Sequence, residues 1–301
     1  AQGIDVRVIL PKYACISDEY KDKMQYITHF YMRLGSNPFE KYVGLMSLEL
    51  DGITYYFIDN EDYYSYGNPY TDIINDIERY IFYCKAVLAA LPVLDFLPDV
   101  IHCHDWQAAL IQVYLRTLFK DTELAQRART VFTIHNLRFQ GIHSPNYIQS
   151  ISGLPDKVFG IDDMLHNRDA NMMKGGIVYS DKVTTVSETY AWEITTPEYG
   201  ETLEGLLSYY RYKLCGIVNG IDYEVYNPAK DKHLYKHYGT RDFVRGKREN
   251  KLKLQEELGL EIDQNKFVIG LISRLTDQKG LDLVAETIDS MLDGNTQFVL
   301  I

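Results

Sequence analysis

Cysteine and long apolar runs are scarce in this sequence, and each shortage excludes a class of protein. Only four cysteines occur in 301 residues, and none forms a CxxC pair (Cys15, Cys84, Cys103 and Cys215). Such wide spacing fits a reducing compartment better than a disulfide framework. No apolar run approaches the roughly 18 residues of a membrane helix. Residues 1–13 also lack the basic start and apolar segment of a secretory signal. We therefore expect no membrane partner.

Positive charge is the next shortage. Lysine and arginine number 31 against 42 acidic residues, so the formal net charge is −11. Binding to nucleic acid needs clustered cations that neutralise phosphates, so this balance argues against nucleic acid as a partner. With 46% hydrophobic and 24% charged residues, the chain can bury a core, which excludes intrinsic disorder. Its length fits one large domain or two ordinary ones.

Several signature motifs are also missing. There is no GxxxxGK[ST], no GxGxxG after a strand, no GxSxG and no HExxH. The sequence therefore supports neither a P-loop, nor a dinucleotide site, nor a nucleophile elbow, nor a zinc protease. Lys174-Gly175-Gly176 resembles a phosphate loop only superficially. No internal repeat and no low-complexity tract is visible.

What is present is an alternation of short Val- and Ile-rich runs with helical patterns, which is typical of a parallel α/β sheet. The helix signal is clearest from Ile74 to Leu88, and Pro92 ends it. Residues 48–57 form one excursion, a predicted β-hairpin that turns at Asp51-Gly52. The strands are predicted at 6–10, 100–103, 130–134, 182–186, 214–218, 267–273 and 297–301.

A domain boundary is predicted near Asn227-Pro228. Residues 231–265 are charged and helical, with Gly259 as a helix stop, and a new strand starts at Phe267. We assign residues 1–225 to a first α/β domain and 226–301 to a linker and the opening of a second. Because the sequence starts close to one strand and stops inside another, we expect an internal piece of a longer protein.

Polar residues follow five of the predicted strands, where ligands bind in open parallel sheets. We predict that all five strand ends lie at one sheet edge and form one ligand crevice. The five segments are 102–107, 135–136, 187–188, 219–222 and 274–280.

Among the strand-end histidines, His102 and His104 face one side of their strand and Cys103 the other, so convergence on a metal ion is disfavoured against bonding to the backbone. Asp105 is the better candidate, because a carboxylate accepts hydrogen bonds from a polyhydroxylated ligand. His135 reads either as a satisfied core histidine or as a site residue.

Two asparagines follow later strands. The amide of Asn136 suits a hydroxyl group and favours a site beside His135. Asn219-Gly220 reads either as a turn or as a ligand contact. The tyrosines of 62–70 could stack on sugars, but a packed polar loop is the favoured interpretation.

Arg274 and Lys279 lie between a strand end and a predicted helix N-terminus. Free N–H groups and the helix dipole favour anions there. Adding a bidentate guanidinium and an ammonium predicts a phosphate or diphosphate site. The alternative is a surface pair that solvates the start of the helix.

Taken together, these motifs resemble the bacterial glycogen synthases and plant starch synthases that use ADP-glucose. The resemblance implies the GT-B architecture, in which two Rossmann-like domains face a cleft, with the start of the second domain within this sequence. The segments that carry it are DVRVILPKY (5–13), HCHDWQA (102–108), TIHNLRFQG (133–141), NMMKGGIVYSD (171–181), TVSETY (185–190), VNGIDY (218–223) and SRLTDQKGLD (273–282).

The resemblance implies transfer of glucose from ADP-glucose to the non-reducing end of an α-1,4-glucan (glycogen or starch) with retention, without a metal or prosthetic group. It implies a location in the bacterial cytoplasm, or in a plastid for a plant source. The implied catalytic residues are His135, Arg274 and Lys279. Donor binding adds Asn136, Asn219 and Gln278 to Arg274 and Lys279, and Asp105 and Trp106 would line the acceptor side.

The sequence also departs from that family. It contains neither the family's Lys-x-Gly-Gly loop with its preceding first strand nor its later glutamate pair, and Thr202 stands where a glycine is usual. We therefore expect residues 1–301 alone to lack synthase activity. The alternatives are a non-catalytic glucan-binding or scaffolding relative, or another retaining transferase of this architecture; a phosphorylase would need pyridoxal phosphate, for which no motif is present.

Overall fold

The computed structural model describes residues 3–66, 68–94 and 96–301. The chain divides into two compact units, with Asn219 the last residue of the first and Gly220 the first residue of the second. This division lies a few residues before the boundary predicted from sequence, and the assignment of 1–225 and 226–301 as domains stays a prediction.

In the first unit, strands and helices alternate along most of the chain. Its strands are β1 (Arg7–Pro11), β2 (Gln25–Arg33), β3 (Glu40–Leu50), β4 (Ile53–Asp59), β5 (Val100–His104), β6 (Arg129–Ile134), β7 (Ile142–His143), β8 (Leu165–His166), β9 (Asp169–Asn171), β10 (Lys182–Thr185) and β11 (Leu214–Gly216). Its helices are α1 (Asp18–Lys21), α2 (Glu61–Tyr64), α3 (Ile73–Ala90), α4 (Asp105–Ala108), α5 (Leu110–Arg116), α6 (Glu123–Arg127), α7 (Pro145–Ser152), α8 (Met172–Tyr179), α9 (Glu188–Glu193) and α10 (Glu204–Tyr209), with 3₁₀ turns at Asp156–Phe159 and Arg211–Lys213.

The sheet that positions the candidate site has the order β11-β10-β6-β5, and its described strand pairs are all parallel. In its register, Thr133 of β6 lies opposite His104 of β5 and Thr184 of β10. Parallel pairing brings the carboxyl ends of these strands to one edge. The α/β fold class predicted from the alternating pattern is therefore confirmed, and the predicted strands occur with bounds shifted by a residue or two.

A second sheet has the order β1-β4-β3-β2. β1 pairs with β4 in parallel, whereas β2, β3 and β4 form an antiparallel meander. The predicted hairpin is present, and Asp51 and Gly52 have φ values of 53° and 75°, as its tight turn requires. Its strands extend beyond residues 48–57, and β2 was not among the predicted strands.

Helix α3 carries much of the core of this unit. Ile77, Ile81, Cys84 and Leu88 are at most 1% exposed, as their helical spacing predicts, whereas Ile74, which shares that spacing, is 51% exposed. Asp72 caps the helix by accepting from the N–H groups of residues 74 and 75. The helix ends before Pro92. All four cysteines are free thiols, and no described helix is long and apolar enough to cross a membrane.

The second unit contains α11 (Phe243–Glu257), β12 (Phe267–Leu271), a 3₁₀ turn (Asp277–Lys279), α12 (Leu281–Met291) and β13 (Thr296–Leu300). β12 pairs in parallel with β13. Gly259 follows α11 in the left-handed conformation (φ 65°), as expected for a helix stop. Since β12 belongs to this separate sheet, the prediction that five strand ends share one sheet edge is wrong for β12. Strand periodicity shows where a strand lies but does not identify its partner.

Candidate functional site

The site begins where β5 and β6 end. His104 is the last residue of β5, and His135 directly follows β6. The two strands are neighbours, so the two imidazoles meet: Nδ1 of His104 lies 3.0 Å from Nε2 of His135, at hydrogen-bond distance. The ring centroids are 5.2 Å apart. The structure thus brings together two strand-end segments that are thirty residues apart in the sequence.

Asp105 connects the same two segments through the backbone. Its Oδ1 accepts the N–H of His135 at 2.8 Å and, more weakly, that of Asn136 at 3.5 Å. Its backbone is left-handed (φ 55°), a conformation that costs a non-glycine residue about 1–2 kcal/mol. Burial raises the pKa of Asp105, and the hydrogen bond from His135 opposes that rise. The carboxylate therefore holds the turn that carries His135 and Asn136 against the end of β5.

The histidines of β5 are arranged as strand alternation predicts. The rings of His102 and His104 lie 4.3 Å apart, whereas Cys103 is buried. Nε2 of His102 is 2.6 Å from the hydroxyl of Thr133. Burial lowers the pKa of His104 to about 4, and it also lowers the pKa of His102, so both rings are neutral at pH 7. Within the described ranges, no three His, Cys, Asp or Glu side chains are grouped to hold a metal ion.

Trp106 points into the core rather than outward. Its side chain is 4% exposed, and its ring packs edge-on against Tyr80 at 5.4 Å. Gly141 has a φ of 64°, and a Cβ added there would lie 2.4 Å from the indole. The ring therefore holds the loop after β6 close to the sheet. The acceptor-side assignment of Trp106 stays a prediction, and the sequence carried no signal for this burial.

A network that sequence reasoning missed supports the loop after His135. Gln140 is buried, and its amide donates to the carbonyl of Glu201 at 2.9 Å while it accepts from Asn171. Glu201 and Thr202 both have positive φ values, 48° and 70°. The hydroxyl of Thr202 lies 2.9 Å from Nε2 of His166. The segment in which threonine replaces the usual glycine is therefore anchored to the site loop.

Lys174 is structural, as the missing phosphate-loop motif indicates. Its side chain is 5% exposed, and its ammonium donates to the carbonyls of Ile161 and Leu165. Burial lowers its pKa. A Cβ added at Gly176 would lie 2.7 Å from the ring of Phe132. The Lys-Gly-Gly segment thus serves helix packing.

The ends of β10 and β11 contribute less. The hydroxyl of Ser187 caps α9 by accepting the N–H of Tyr190 at 2.9 Å, a structural role. Asn219 lies three residues beyond β11 and is exposed. Its predicted contact with the donor sugar stays a prediction.

In the second unit, Arg274, Gln278 and Lys279 lie between β12 and α12, as predicted, and all three are exposed. Gln278 and Lys279 belong to the 3₁₀ turn, and Gly280 (φ 67°) leads into α12. The N-terminus of this helix favours an anion. The unit therefore presents two cations beside a helix start.

Parallel βαβ units with polar strand ends place the chain among α/β folds, and its similarity to known proteins identifies the GT-B class within them. Residues 1–209 match the family described as the starch synthase catalytic domain. The chain belongs to that family.

Individual relatives agree with this assignment. The chain is 53% identical to a glycogen synthase of Lachnospira eligens and 49% identical to one of Lachnoclostridium phytofermentans, in each case over 99% of the chain and 62% of the relative. Among solved structures, it is similar to the catalytic domain of starch synthase IV from Arabidopsis thaliana bound to ADP and acarbose, with a TM-score of 0.87 and 32% identity over 99% of this chain and 61% of that one. The chain thus spans about three fifths of the length of these relatives.

Proposed function

We propose that the longer protein containing this chain transfers glucose from ADP-glucose to the non-reducing end of an α-1,4-glucan, with retention of the α configuration. The observation that carries the proposal is the match of 99% of the chain to a starch synthase catalytic domain bound to ADP and acarbose. That neighbour binds a nucleotide, ADP, and an oligosaccharide, acarbose, which correspond to the product of the donor and to an acceptor analogue.

The proposed chemistry divides between the two units. Arg274 and Lys279 would neutralise the diphosphate and the charge that develops on the departing ADP, the largest electrostatic demand of the reaction. His135 and Asn136 would bind hydroxyls of the transferred glucose, with Asn219 and Gln278 as further donor contacts. Asp105 would hold the turn of His135 and face the acceptor side. No metal enters the proposed reaction.

Calorimetry with ADP-glucose on the longer synthase tests this assignment. Arg274→Ala should weaken donor binding about 10- to 100-fold, as expected for the loss of a charged hydrogen bond of about 1.5–3 kcal/mol. Arg245→Ala is the matched control, because Arg245 is an exposed arginine of the same unit that pairs with Glu249 at 2.8 Å. A scaffolding relative would bind no ADP-glucose with or without the substitution, and that outcome would reject the proposal.

We also propose that the first domain takes a further strand between β1 and β5. Both are outer strands of their sheets. A cavity of about 540 Å³ lies between them and is lined along both strands, from Val6 to Pro11 and from Val100 to His104. The amides of Ile9 and His102 face away from β4 and β6, and their hydrogen exchange should slow at least tenfold in the longer synthase. Equal exchange rates in the 301-residue chain and in the longer synthase would reject the further strand.

We propose a reducing compartment for the protein, the cytoplasm of a bacterium or the plastid of a plant. The four free thiols support this location. Fractionation of the source cells followed by immunodetection tests it, and recovery from an extracellular fraction would reject it.

A further inference from the structure

The hydrogen bond between His104 and His135 has no part in the chemistry proposed so far. The two nitrogens face each other at 3.0 Å. On the other side, the backbone N–H of His135 is held by Asp105 at 2.8 Å. His135 is therefore held twice by consecutive residues of one strand end, at its backbone and at its ring.

A bond between two imidazole nitrogens contains one proton. If both rings are neutral, one nitrogen donates and the other accepts, and this choice sets the tautomer of each ring. When Nδ1–H of His104 donates, both rings carry their proton on Nδ1. When Nε2–H of His135 donates, both rings carry it on Nε2, and Nδ1 of His135 keeps its lone pair.

The imidazole of His104 is held in its uncharged form. Burial and the neighbouring rings of His102 and His135 hold its pKa at about 4. Asp105 is the nearest carboxylate in sequence, and its Oδ1 is engaged by backbone N–H groups of the β6 end. His102 is itself 2.6 Å from the hydroxyl of Thr133, so its Nε2 has a separate partner. His104 thus meets His135 as a neutral ring at pH 7.

We propose that His104 is a positioning residue that accepts Nε2–H of His135 and so directs the ring proton of His135 to Nε2, which leaves Nδ1 of His135 to accept hydrogen bonds. The Nε2–H form is the more stable tautomer of a neutral histidine side chain, and this arrangement gives that form to both rings. An accepting Nδ1 suits a hydroxyl donor of a sugar, and this consequence rests on the proposed function.

The test is a long-range ¹H–¹⁵N spectrum of the chain at pH 7.5 with ¹⁵N-labelled histidine, which reports the tautomer of each ring. We expect Nε2 protonated and Nδ1 unprotonated for both His104 and His135. His104→Asn places a carbonyl oxygen near the position of Nδ1, so it should keep the tautomer of His135. His104→Phe keeps a ring but removes the acceptor, and it should convert His135 to a mixture of tautomers. His102→Phe is the matched control and should leave His135 unchanged.

A wild-type His135 that is protonated on Nδ1 would overturn the inference. So would an unchanged His135 spectrum in His104→Phe, provided that circular dichroism shows a folded variant. If His104→Phe does not fold, the wild-type spectrum and the His104→Asn spectrum decide the question. The tautomer is read without substrate. Failure of ADP-glucose binding in the longer synthase would therefore reject the proposed function and leave this result standing.

Discussion

The two units contain the same kind of element but differ sharply in burial. In the first, the central strand β6 carries Phe132 and Ile134, both fully buried. In the second, Phe267 is the first residue of β12 and is 67% exposed. Among the described residues from 220 onward, no apolar side chain is buried below 9%. Local periodicity therefore suffices to specify a parallel βαβ segment, whereas stability depends on the layers packed against it.

The largest effect should come from deleting a core aromatic side chain in one unit and its exposed counterpart in the other. Phe132→Ala should destabilise the first unit by about 3–5 kcal/mol, because it leaves a cavity in a closed core. Phe267→Ala should change stability by less than about 0.5 kcal/mol. Urea denaturation followed by far-ultraviolet circular dichroism measures both variants, and the fluorescence of Trp106 and Trp192 reports the first unit alone. Similar losses of stability in both variants would show that the two units do not differ in how tightly these side chains are packed.

The same difference in packing can be tested by adding a methyl group at one glycine in each unit. A Cβ at Gly176 would meet the ring of Phe132 at 2.7 Å and the methyl of Ala109 at 3.0 Å, whereas a Cβ at Gly270 of β12 meets nothing within 4 Å. Gly176→Ala should therefore cost about 1–3 kcal/mol through overpacking. Gly270→Ala should be neutral or slightly stabilising. The same urea titrations measure both, and a neutral Gly176→Ala would show that the first core is looser than its geometry indicates.

The elements that sequence could predict are those with strong local signals. The strands of the parallel sheets, helix α3, the Asp51-Gly52 turn and the stop at Gly259 are all present. Strand alternation also placed His102 and His104 on one face. Strand β2 was missed because apolar and aromatic residues occur on both of its faces, as in Tyr26, Phe30 and Tyr31.

Other features depend on pairings that are distant in sequence. The Gln140 network joins two loops and the end of β9, and the burial of Trp106 requires Gly141 beside it. The bond between His104 and His135 requires β5 and β6 to be neighbours in register. The pairing of β12 with β13 rather than with a strand of the first sheet likewise leaves no local signal in the sequence. Sequence therefore indicated which strand ends carry polar residues, but not how these residues contact one another.

The stability of the first unit should also depend on pH through a partly buried carboxylate. Asp181 of the first unit accepts from the N–H and hydroxyl of Thr130 and pairs with Arg116 at 2.8 Å. Burial tends to raise its pKa, but these contacts outweigh burial and the pKa lies below its ordinary value. Ionised Asp181 therefore stabilises the folded first unit fully above about pH 3.9, the ordinary pKa. This stabilisation is lost as pH falls through the lower pKa of the folded state.

Asp181→Asn should accordingly reduce the stability of the first unit at pH 6 by about 1 kcal/mol, a value lowered for a carboxylate that is 33% exposed. The difference from wild type should shrink as the pH is lowered below 4. Asp293→Asn in the second unit is the control and should leave the tryptophan-detected transition unchanged. Urea midpoints between pH 3 and 6 measure both variants, and a difference that grows on acidification would contradict the sign.

The smallest expected effect concerns residues with a left-handed backbone conformation, because the two units differ in which residue types adopt it. Among the described residues of the second unit, only glycines such as Gly259 and Gly280 have positive φ, whereas the first unit also uses other residues, among them Thr202 at φ 70°. A β-branched residue is strained in this conformation. Its hydroxyl partly offsets that strain through the 2.9 Å contact with His166. Thr202→Gly should therefore stabilise the first unit by only about 0.5 kcal/mol, because relief of about 1–2 kcal/mol is reduced by the lost hydrogen bond and by the greater freedom of unfolded glycine.

Thr202→Asn should stabilise more than Thr202→Gly, because asparagine tolerates this conformation and its side chain can still reach His166. The matched substitution in the second unit is Gly280→Ala, which introduces the strain that Thr202 already carries and should lower the stability of that unit. Tryptophan-detected urea midpoints rank the two Thr202 variants, and circular dichroism follows Gly280→Ala. A loss of stability in Thr202→Gly would mean that the contact with His166 outweighs the backbone strain, and the loop beside the site would then be held by its side chains despite its backbone.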